Sequence, residues 1–342
     1  MRTTRLGGSA VHASELALGC AGIGNLYHPV TDDAARATVE AAWNAGIRTF
    51  DTAPHYGLGL SERRLGAALR GRPRDAYTIS TKVGRLLVPN QDDSHGDDLA
   101  NGFAAPASHR RVWDFSADGI LRSLEASLDR LGLDRVDVVL LHDPDDHAQQ
   151  ALREAYPALE RLRAEGVVGA IGVGMNQSAL PARFLRETDI DVVLLAGRYT
   201  LLEQEGLAEL LPEAAARGRS VVIGGVFNSG LLTAPRPGAT YDYAPAPRPV
   251  LERALRLLAV TERHGVPLRA AALRFPFGHR AVASVLTGAR SPEEVRDTVE
   301  QWRRPIPDAV WDDLRAEGLL ALNTPVPVPT PSAPATPSKE PS

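Results

Sequence analysis

The stretch at residues 46–62, GIRTFDTAPHYGLGLSE, shows the unit from which the chain is built. A short strand at 48–51 ends in Asp51 and runs into a loop that carries Tyr56. The same succession of short apolar strand, loop and amphipathic helix recurs along the chain. Eight strands are predicted, at 16–19, 48–51, 77–82, 136–142, 170–174, 192–196, 220–224 and 282–287. Several are continuous apolar runs, which is typical of parallel strands covered on both faces.

Helical periodicity fills the segments between these strands. Between residues 116 and 132, for example, apolar side chains recur at steps of three and four residues. Thr31, Ser116 and Ser291 are typical helix starts. Eight strand–helix units predict a (β/α)8 TIM barrel. An open doubly wound sheet would need a G-x-G-x-x-G turn, which occurs nowhere in the chain. A Gly-Gly turn within residues 1–14 predicts an N-terminal β-hairpin.

Two connections are much longer than the others. Residues 83–115 lie between the third strand and the third helix, and they are polar before they end in Trp113 and Phe115. Residues 225–249 follow the seventh strand and contain Gly, Pro and Tyr. Loops of this length inside a compact domain are usually functional or mobile. Because both leave the C-terminal ends of strands, where barrel active sites lie, we expect them to determine substrate choice.

Length, charge and cysteine content narrow the class of protein. The chain has 342 residues, which fits one α/β barrel of roughly 250 residues with insertions. Its 38 basic and 42 acidic residues give a net charge of −4, which argues against nucleic-acid binding. The chain has one cysteine, Cys20, and no run of ~18 apolar residues. With no apolar signal segment near the N-terminus either, we expect a cytoplasmic protein without a membrane span.

The composition changes near the C-terminus. From residue 324 the chain reads TPVPVPTPSAPATPSKEPS, with Pro at nearly every second or third position. Such a segment cannot bury enough apolar surface to fold. We therefore predict a barrel domain at 1–322 and a disordered, Pro-rich tail at 323–342.

Four ionisable side chains fall at the C-terminal ends of the early strands. They are Asp51 after the second strand, with Tyr56 five residues on, Lys82 after the third and His142 after the fourth. In a parallel barrel these ends converge on one mouth. A tyrosine, with a pKa of about 10, is a poor catalyst at neutral pH unless a cation such as Lys82 favours its phenolate. The set is suited to moving a proton to or from a substrate oxygen, with a nicotinamide carrying the hydride.

A metal site is a second interpretation of this region, because five metal-ligating residue types occur there. They are His55, His142, Asp143, Asp145 and His147. Barrel metallohydrolases usually begin with His-x-His at the first strand, and residues 16–20 contain none. We therefore expect no metal. The two aspartates flank Pro144 and are typical turn residues.

Several motifs follow one another in a characteristic order. They are residues 46–62 with Gly66, Ser80-Thr81-Lys82, Leu141-His142, residues 172–176 and residues 288–295. Because it has these motifs in this order, the sequence resembles the aldo-keto reductase family over roughly residues 2–305. The resemblance implies that Tyr56 is the general acid/base and that Asp51, Lys82 and His142 complete its tetrad.

The resemblance also implies an NAD(P) site. Asn176 matches the residue that binds the nicotinamide carboxamide. The loop over the pyrophosphate is matched by Phe227, Asn228, Ser229 and Gly230. Residues 287–298 match the adenosine-phosphate site, where the candidates are Gly288, Arg290, Glu294 and Thr298. Three positions depart from the family pattern, with Met175 in place of Ser, Ala196 in place of Gln and Gly224 in place of a stacking aromatic. Tyr199 is a candidate to supply that stacking.

The phosphate segment predicts the cofactor. NADP-preferring members of the family carry Lys at the position of Gly288 and Arg at the position of Glu294. A carboxylate there would repel a 2′-phosphate, whereas it could accept a hydrogen bond from a free ribose hydroxyl. We therefore expect NAD. NADP stays open as the alternative, because Arg290 could bind the phosphate.

Within the family, the form that these motifs take in this sequence is similar to that of a bacterial branch. This branch contains L-fucose and D-threo-aldose 1-dehydrogenases and pyridoxal 4-dehydrogenase. This implies a small sugar or aldehyde substrate, with oxidation of the anomeric hydroxyl of L-fucose or a D-threo-aldose to a 1,5-lactone. Pyridoxal oxidation, carbonyl reduction and a non-catalytic cofactor-binding regulatory subunit are alternatives, and the intact tetrad argues against the last. His55 and Trp113 either contact the substrate or serve only to fill the mouth and anchor the loop.

Overall fold

The structure is a computed structural model that describes residues 1–90, 96–242 and 244–328. In chain order its strands are β1 (Thr3–Arg5), β2 (His12–Ser14), β3 (Leu16–Gly19), β4 (Thr49–Asp51), β5 (Thr78–Val83), β6 (Arg85–Pro89), β7 (Asp97–Asp98), β8 (Phe103–Pro106), β9 (His109–Trp113), β10 (Val138–His142), β11 (Ala170–Met175), β12 (Val192–Ala196), β13 (Ser220–Gly224), β14 (Thr240–Tyr241), β15 (Ala244–Pro245) and β16 (Val282–Gly288). β3, β4, β5, β10, β11, β12, β13 and β16 pair in parallel and close into a barrel. The predicted TIM barrel and its eight strands are confirmed, each within two residues of the expected bounds.

The helices alternate with the barrel strands. They are α1 (Asp32–Asn44), α2 (Leu60–Leu69), α3 (Ala117–Leu131), α4 (Ala148–Gln150), α5 (Tyr156–Ala164), α6 (Ala179–Glu187), α7 (Leu210–Ala216), α8 (Arg248–Arg263), α9 (Leu268–Arg274), α10 (Pro292–Arg303) and α11 (Asp308–Ala316), with a π-helical turn, Ala151–Ala155, joining α4 to α5. The predicted helix starts are correct, since the hydroxyls of Thr31, Ser116 and Ser291 each accept a backbone N–H of the first turn. None of the described helices is long and apolar enough to cross a membrane.

Apolar side chains form two layers of core. The larger cluster fills the space between the strands and the surrounding helices. A smaller cluster lies inside the barrel and joins strand residues such as Leu140 and Leu194 to Leu6 and Ala13 of the N-terminal hairpin. The predicted hairpin, β1 paired with β2, therefore closes one end of the barrel. The opposite end, where the strands terminate, is left for the long loops.

The long loop after β5 is more regular than its polar sequence suggests. β6 pairs with β9 over five residue pairs, from Arg85 opposite Trp113 to Pro89 opposite His109. β7 pairs with β8, and Phe103 also bridges to Leu26 in the loop after β3. Phe115 is fully buried, so it anchors the end of the loop. The loop is thus a pair of antiparallel ribbons lying over the barrel mouth.

The chain stays on the barrel slightly longer than the composition predicts. Thr324 is only 3% exposed, and its carbonyl accepts a hydrogen bond from Arg315 Nη2 at 2.9 Å. Val326 packs against the main core cluster. The predicted boundary at residue 322 is therefore early by a few residues, because this start of the Pro-rich segment covers apolar surface. The rest of the predicted tail, 329–342, lies outside the described residues.

Candidate active site

The C-terminal ends of the early strands bring the four predicted ionisable residues together. Register pairs Asp51 of β4 with Ser80 of β5, and Lys82 of β5 with Leu140 of β10. A cavity of about 740 Å³ opens above these strand ends, and its walls include Tyr56, Lys82 and His142. This is the mouth of the barrel, where the sequence places the chemistry.

Lys82 lies at the base of this cavity, 2% exposed, and all three of its ammonium protons have acceptors. Nζ donates to Asp51 Oδ2 at 2.6 Å, to the Thr52 carbonyl at 3.0 Å and to Tyr56 Oη at 3.0 Å. The other Asp51 oxygen, Oδ1, accepts a hydrogen bond from Ser80 Oγ at 2.7 Å. A buried charge is tolerable only with such full pairing. The network fixes the direction in which Lys82 donates to Tyr56.

The loop after β4 holds Tyr56 by an unusual run of backbone angles. Gly57, Leu58 and Gly59 all have positive φ, at 61°, 54° and 80°. At Gly57 a Cβ would come within 2.2 Å of the Gly24 carbonyl oxygen, so only glycine fits. Gly57 and Gly59, on either side of Leu58, therefore let the loop turn sharply into α2 directly after the tyrosine.

Burial and charge act in opposite directions on Tyr56. Burial raises the pKa of the phenol to about 12, and the positive charge of Lys82 lowers that pKa but does not outweigh burial. Burial disfavours the charge on Lys82, yet the nearby Asp51 carboxylate and Tyr56 raise the Lys82 pKa above its ordinary value. Lys82 is thus a permanent cation, and Tyr56 is a phenol at neutral pH that can donate a proton; its phenolate, next to Lys82, is the form that can receive one.

His142 ends β10 on the other side of the phenol. Its ring meets the Tyr56 ring edge-on, with 5.9 Å between centroids. Burial first, then the charges of Arg85 and Lys82, hold the pKa of His142 well below its ordinary value. His142 is therefore neutral, and it can donate one N–H to an oxygen bound next to Tyr56. Its Nδ1 is buried without a hydrogen-bond partner among the described residues.

The ribbons add residues that the sequence argument did not single out. Arg85 forms an ion pair with Asp143 at the cavity wall, and its guanidinium lies 5.1 Å from the centre of the Trp113 ring. Trp113 is 42% exposed and lines the cavity, as does His55. No signal in the sequence distinguishes Arg85 from other loop arginines, since its position depends on the β6–β9 pairing. Within the described ranges, no three His, Cys, Asp or Glu side chains are arranged to hold a metal.

The wall opposite Tyr56 has the features needed to hold a nicotinamide. Asn176 follows β11, is exposed to the cavity, and has no hydrogen bond to its side-chain amide within the described part of the chain. Ala196 also lines the cavity, and its register partner on β13 is Gly224. Ala196 carries only a methyl group, and the free amide of Asn176 can bind a carboxamide. These residues fit the group.

Two predicted cofactor contacts occupy different surroundings from those expected. Tyr199 is fully buried, and its ring packs against Phe275 with 5.2 Å between centroids, away from the cavity. The expectation that Tyr199 stacks on a nicotinamide is therefore corrected, because the loop after β12 turns the ring into the core. Asn228 is also buried, where it accepts from Thr200 Oγ1 at 2.7 Å. Its side chain shapes the loop rather than facing outward.

The other residues of the predicted cofactor loops lie near the surface. Phe227 is half-buried against the core, whereas Ser229 is exposed and Gly230 has φ of 93°. In the phosphate segment, Gly288 is exposed at the end of β16 and Thr298 is buried on α10.

Arg290 and Glu294 are paired with each other at the start of α10. Arg290 Nη2 lies 3.1 Å from Glu294 Oε1, and the Arg290 backbone N–H donates to Glu294 Oε2 at 2.8 Å. The arginine charge is therefore partly compensated.

Comparison with known sequences decides the family. The sequence pattern of the Aldo/keto reductase family matches residues 15–317. The chain belongs to the aldo/keto reductase family. It is therefore an oxidoreductase of a family that uses NAD(P)(H). The resemblance seen in its motifs is confirmed.

The aldo/keto reductase relatives cover nearly the whole chain. A D-threo-aldose 1-dehydrogenase from Pseudomonas sp is 47% identical over 89% of this chain and 94% of its own length. A pyridoxal 4-dehydrogenase from Microbacterium luteolum is 42% identical over 92% of this chain and 97% of its own. Among solved structures, the holo form of an aldo-keto reductase from Bacillus halodurans matches with a TM-score of 0.71 and 27% identity, covering 91% of this chain and 96% of that one.

Proposed function

We propose that this aldo/keto reductase oxidises the anomeric hydroxyl of an aldose of the L-fucose or D-threo type to a 1,5-lactone. The observation that carries the proposal is the hydrogen-bonded set of Asp51, Lys82 and Tyr56, with neutral His142 beside it at the base of an open cavity. The relative named D-threo-aldose 1-dehydrogenase supports the sugar as substrate. A cavity of about 740 Å³ has room for a pyranose next to a nicotinamide.

In this proposal the protein handles the proton. Tyr56 Oη receives the proton of the anomeric hydroxyl, and Lys82 stabilises the phenolate that receives it. His142 donates a hydrogen bond to the same substrate oxygen and orients it. When bound, the oxidised nicotinamide is the acceptor for the hydride that leaves C1. The C1–H and O–H bonds break, and the lactone C=O bond forms, so protons and electrons balance.

We propose NAD rather than NADP as the physiological cofactor. The Glu294 carboxylate lies at the segment that matches the adenosine-phosphate site and is paired with Arg290. A 2′-phosphate would have to displace that carboxylate from Arg290 and accept its repulsion. A free 2′-hydroxyl could instead donate to it. Asn176, whose amide has no partner among the described residues, would hold the carboxamide.

Pyridoxal is the second candidate substrate, because a relative named pyridoxal 4-dehydrogenase matches 92% of the chain at 42% identity. Pyridoxal forms a cyclic hemiacetal that also oxidises to a lactone. The same four residues would act on it in the same roles. The sugar is favoured by the higher identity of the aldose dehydrogenase, 47%.

The test is a panel of oxidations followed at 340 nm with purified protein. NAD+ and NADP+ are each combined with L-fucose, D-arabinose, L-galactose, D-galactose and pyridoxal. NADH formation with one or more sugars, and little with pyridoxal, is the expected result. Activity on pyridoxal alone would replace the sugar with the second candidate. No activity with any of the five, from protein that still binds cofactor, would refute the proposed function.

A further inference from the structure

The long loop carries a buried ion pair that the chemistry above does not use. Arg111 on β9 and Asp98 on β7 have side chains only 5% and 4% exposed. Arg111 Nη1 donates to Asp98 Oδ1 at 2.8 Å, and Nη2 donates to Oδ2 at 2.5 Å. A bidentate pair of this kind fixes the plane of the guanidinium. Asp98 thereby sets the direction of the remaining Arg111 donors.

Those remaining donors contact His55, the residue directly before Tyr56. Arg111 Nε donates to His55 Nδ1, and Nη2 also donates to the His55 carbonyl at 2.9 Å. Arg111 therefore holds both the ring and the backbone of His55. The contact links the ribbon above the mouth to the loop that carries Tyr56.

The arginine determines which ring nitrogen of His55 carries the proton. A guanidinium only donates, so His55 Nδ1 must accept and is unprotonated. A neutral imidazole then has its proton on Nε2. Burial, together with the charges of Arg85, Arg111 and Lys82, lowers the pKa of His55 to about 2. The ring thus stays neutral, as an Nε2–H donor, at any working pH.

Within the part of the chain that the structure describes, this N–H is free, and it belongs to a residue that lines the cavity beside Tyr56. His55 lines the cavity, and its Nε2 is neither hydrogen-bonded within the described residues nor sealed from solvent. Its ring centroid lies 6.0 Å from that of Tyr56 and 5.6 Å from that of His142. Phe103 of β8 holds the ring edge-on at 5.2 Å. The donor is fixed from three sides and adjoins the reacting position.

We propose that Asp98 and Arg111 are positioning residues that hold His55 as a fixed Nε2–H donor to a substrate oxygen beside the carbon that is oxidised. In a pyranose the ring oxygen and the 2-hydroxyl oxygen are such acceptors. A simple aliphatic aldehyde has none, so it would leave the N–H unpaired in a partly dry site. The inference rests on the proposed function and deepens it, since it makes oxygenation next to the reacting carbon a condition of good binding.

The first experiment tests the tautomer without any substrate. Protein labelled with 15N-histidine has nine histidines, and a long-range 15N–1H spectrum separates Nδ1–H from Nε2–H tautomers. The signal missing from His55→Phe is assigned to His55. We expect an Nε2–H pattern that does not change between pH 5 and 9. An Nδ1–H pattern, or titration within that range, would overturn the proposal.

The second experiment tests the positioning role by kinetics. His55→Phe keeps the ring and removes the donor, so KM for the best substrate of the panel should rise about 5- to 100-fold while cofactor affinity stays unchanged. Asp98→Asn with Arg111→Gln removes the ion pair without leaving a buried charge alone, and should raise KM in the same way. Adding the pair of changes to His55→Phe should then cost little more, because all three act through one donor.

Arg110→Gln is the matched control, since Arg110 lies on the same strand but is exposed. Its KM should equal that of the unaltered protein. An unchanged KM in His55→Phe, or fully additive effects in the triple variant, would refute the positioning role. The spectrum separates this outcome from failure of the proposed function, because it reports the His55 tautomer even if none of the five compounds is oxidised.

Discussion

At the scale of single residues, the proposed chemistry depends on placing Tyr56 against Lys82, a cation that keeps its proton. Lys82 is 2% exposed, and its contacts to Asp51 and to the Thr52 carbonyl take two of its three donors. Only the third is left for Tyr56 Oη, at 3.0 Å. Burial thus does two things here. It keeps the phenol protonated at neutral pH, and it strengthens the interaction with Lys82 that stabilises the phenolate once the phenol has lost its proton.

Tyr56→Phe tests this assignment most directly. The ring contacts to His142 and Phe103 stay, and only the hydroxyl that accepts from Lys82 is lost. We expect kcat to fall about 10²- to 10⁴-fold, the usual effect of removing a general acid/base. Binding of NAD(H), followed by fluorescence, should be unchanged. A loss of less than tenfold would show that another group moves the proton.

The raised pKa of Tyr56 also predicts how rate depends on pH. Below a pKa of about 12 the phenolate fraction increases with pH, by up to tenfold per unit. Oxidation needs Tyr56 as proton acceptor, so kcat/KM for oxidation should rise between pH 6 and 9. Reduction needs the phenol, which is fully present over that range, so its profile should be flat. A flat oxidation profile, or a rising limb that persists in Tyr56→Phe, would contradict the role.

At the scale of elements, the start of α10 is where cofactor choice is expected to be decided. Glu294 holds Arg290 by an ion pair at 3.1 Å, and both side chains are 42% exposed. An ion pair this exposed contributes little to stability, so it can be altered without loss of fold. The pair is expected instead to determine the charge that the adenosine end of the cofactor would meet.

Glu294→Gln should therefore shift preference toward NADP. The change removes a repelling carboxylate and frees Arg290 for a charge-assisted hydrogen bond to a 2′-phosphate. We expect the ratio of kcat/KM for NADP over NAD to rise about 10- to 100-fold. The neighbouring Glu293, 73% exposed and paired with Arg296, supplies the control variant Glu293→Gln, which should leave the ratio unchanged. An equal response of the two variants would mean that the phosphate lies elsewhere.

The barrel strands can be predicted from the sequence, whereas the pairing of the loop strands cannot. The sequence predicts the ends of β4, β5 and β10 to within one residue, and the barrel topology alone brings Asp51, Lys82 and His142 to one mouth. The sequence does not predict the β6–β9 ribbon, since the two short strands are separated by 19 residues, from 90 to 108, and nothing local pairs them. Arg111 becomes visible as a partner of His55 only through that pairing. Tyr199 misleads for a related reason: the sequence places it after β12 but does not say that the loop turns inward.

At the scale of the whole molecule, one end of the barrel is closed and the other is open. The N-terminal hairpin seals one end with Leu6 and Ala13, and Gly7 N–H donates to Ser220 Oγ at 2.8 Å. The other end carries the cavity and the ribbons. Stability and chemistry are thus separated in space, as the barrel architecture favours. Changes far from the mouth should alter stability and leave the kinetic constants alone.

The C-terminal segment offers a test of this separation. The 3₁₀ turn Phe275–Gly278 meets the chain so closely that a Cβ on Gly278 would come within 2.5 Å of the Pro325 carbonyl oxygen. A chain ending at 322 loses that contact, the burial of Val326 and the Arg315 hydrogen bond, so Tm should fall by about 2–5 °C with KM unchanged. A chain ending at 328 keeps all of these contacts, so its Tm should equal that of the full-length protein. If the two shortened chains have the same Tm, residues 323–328 do not contribute to stability.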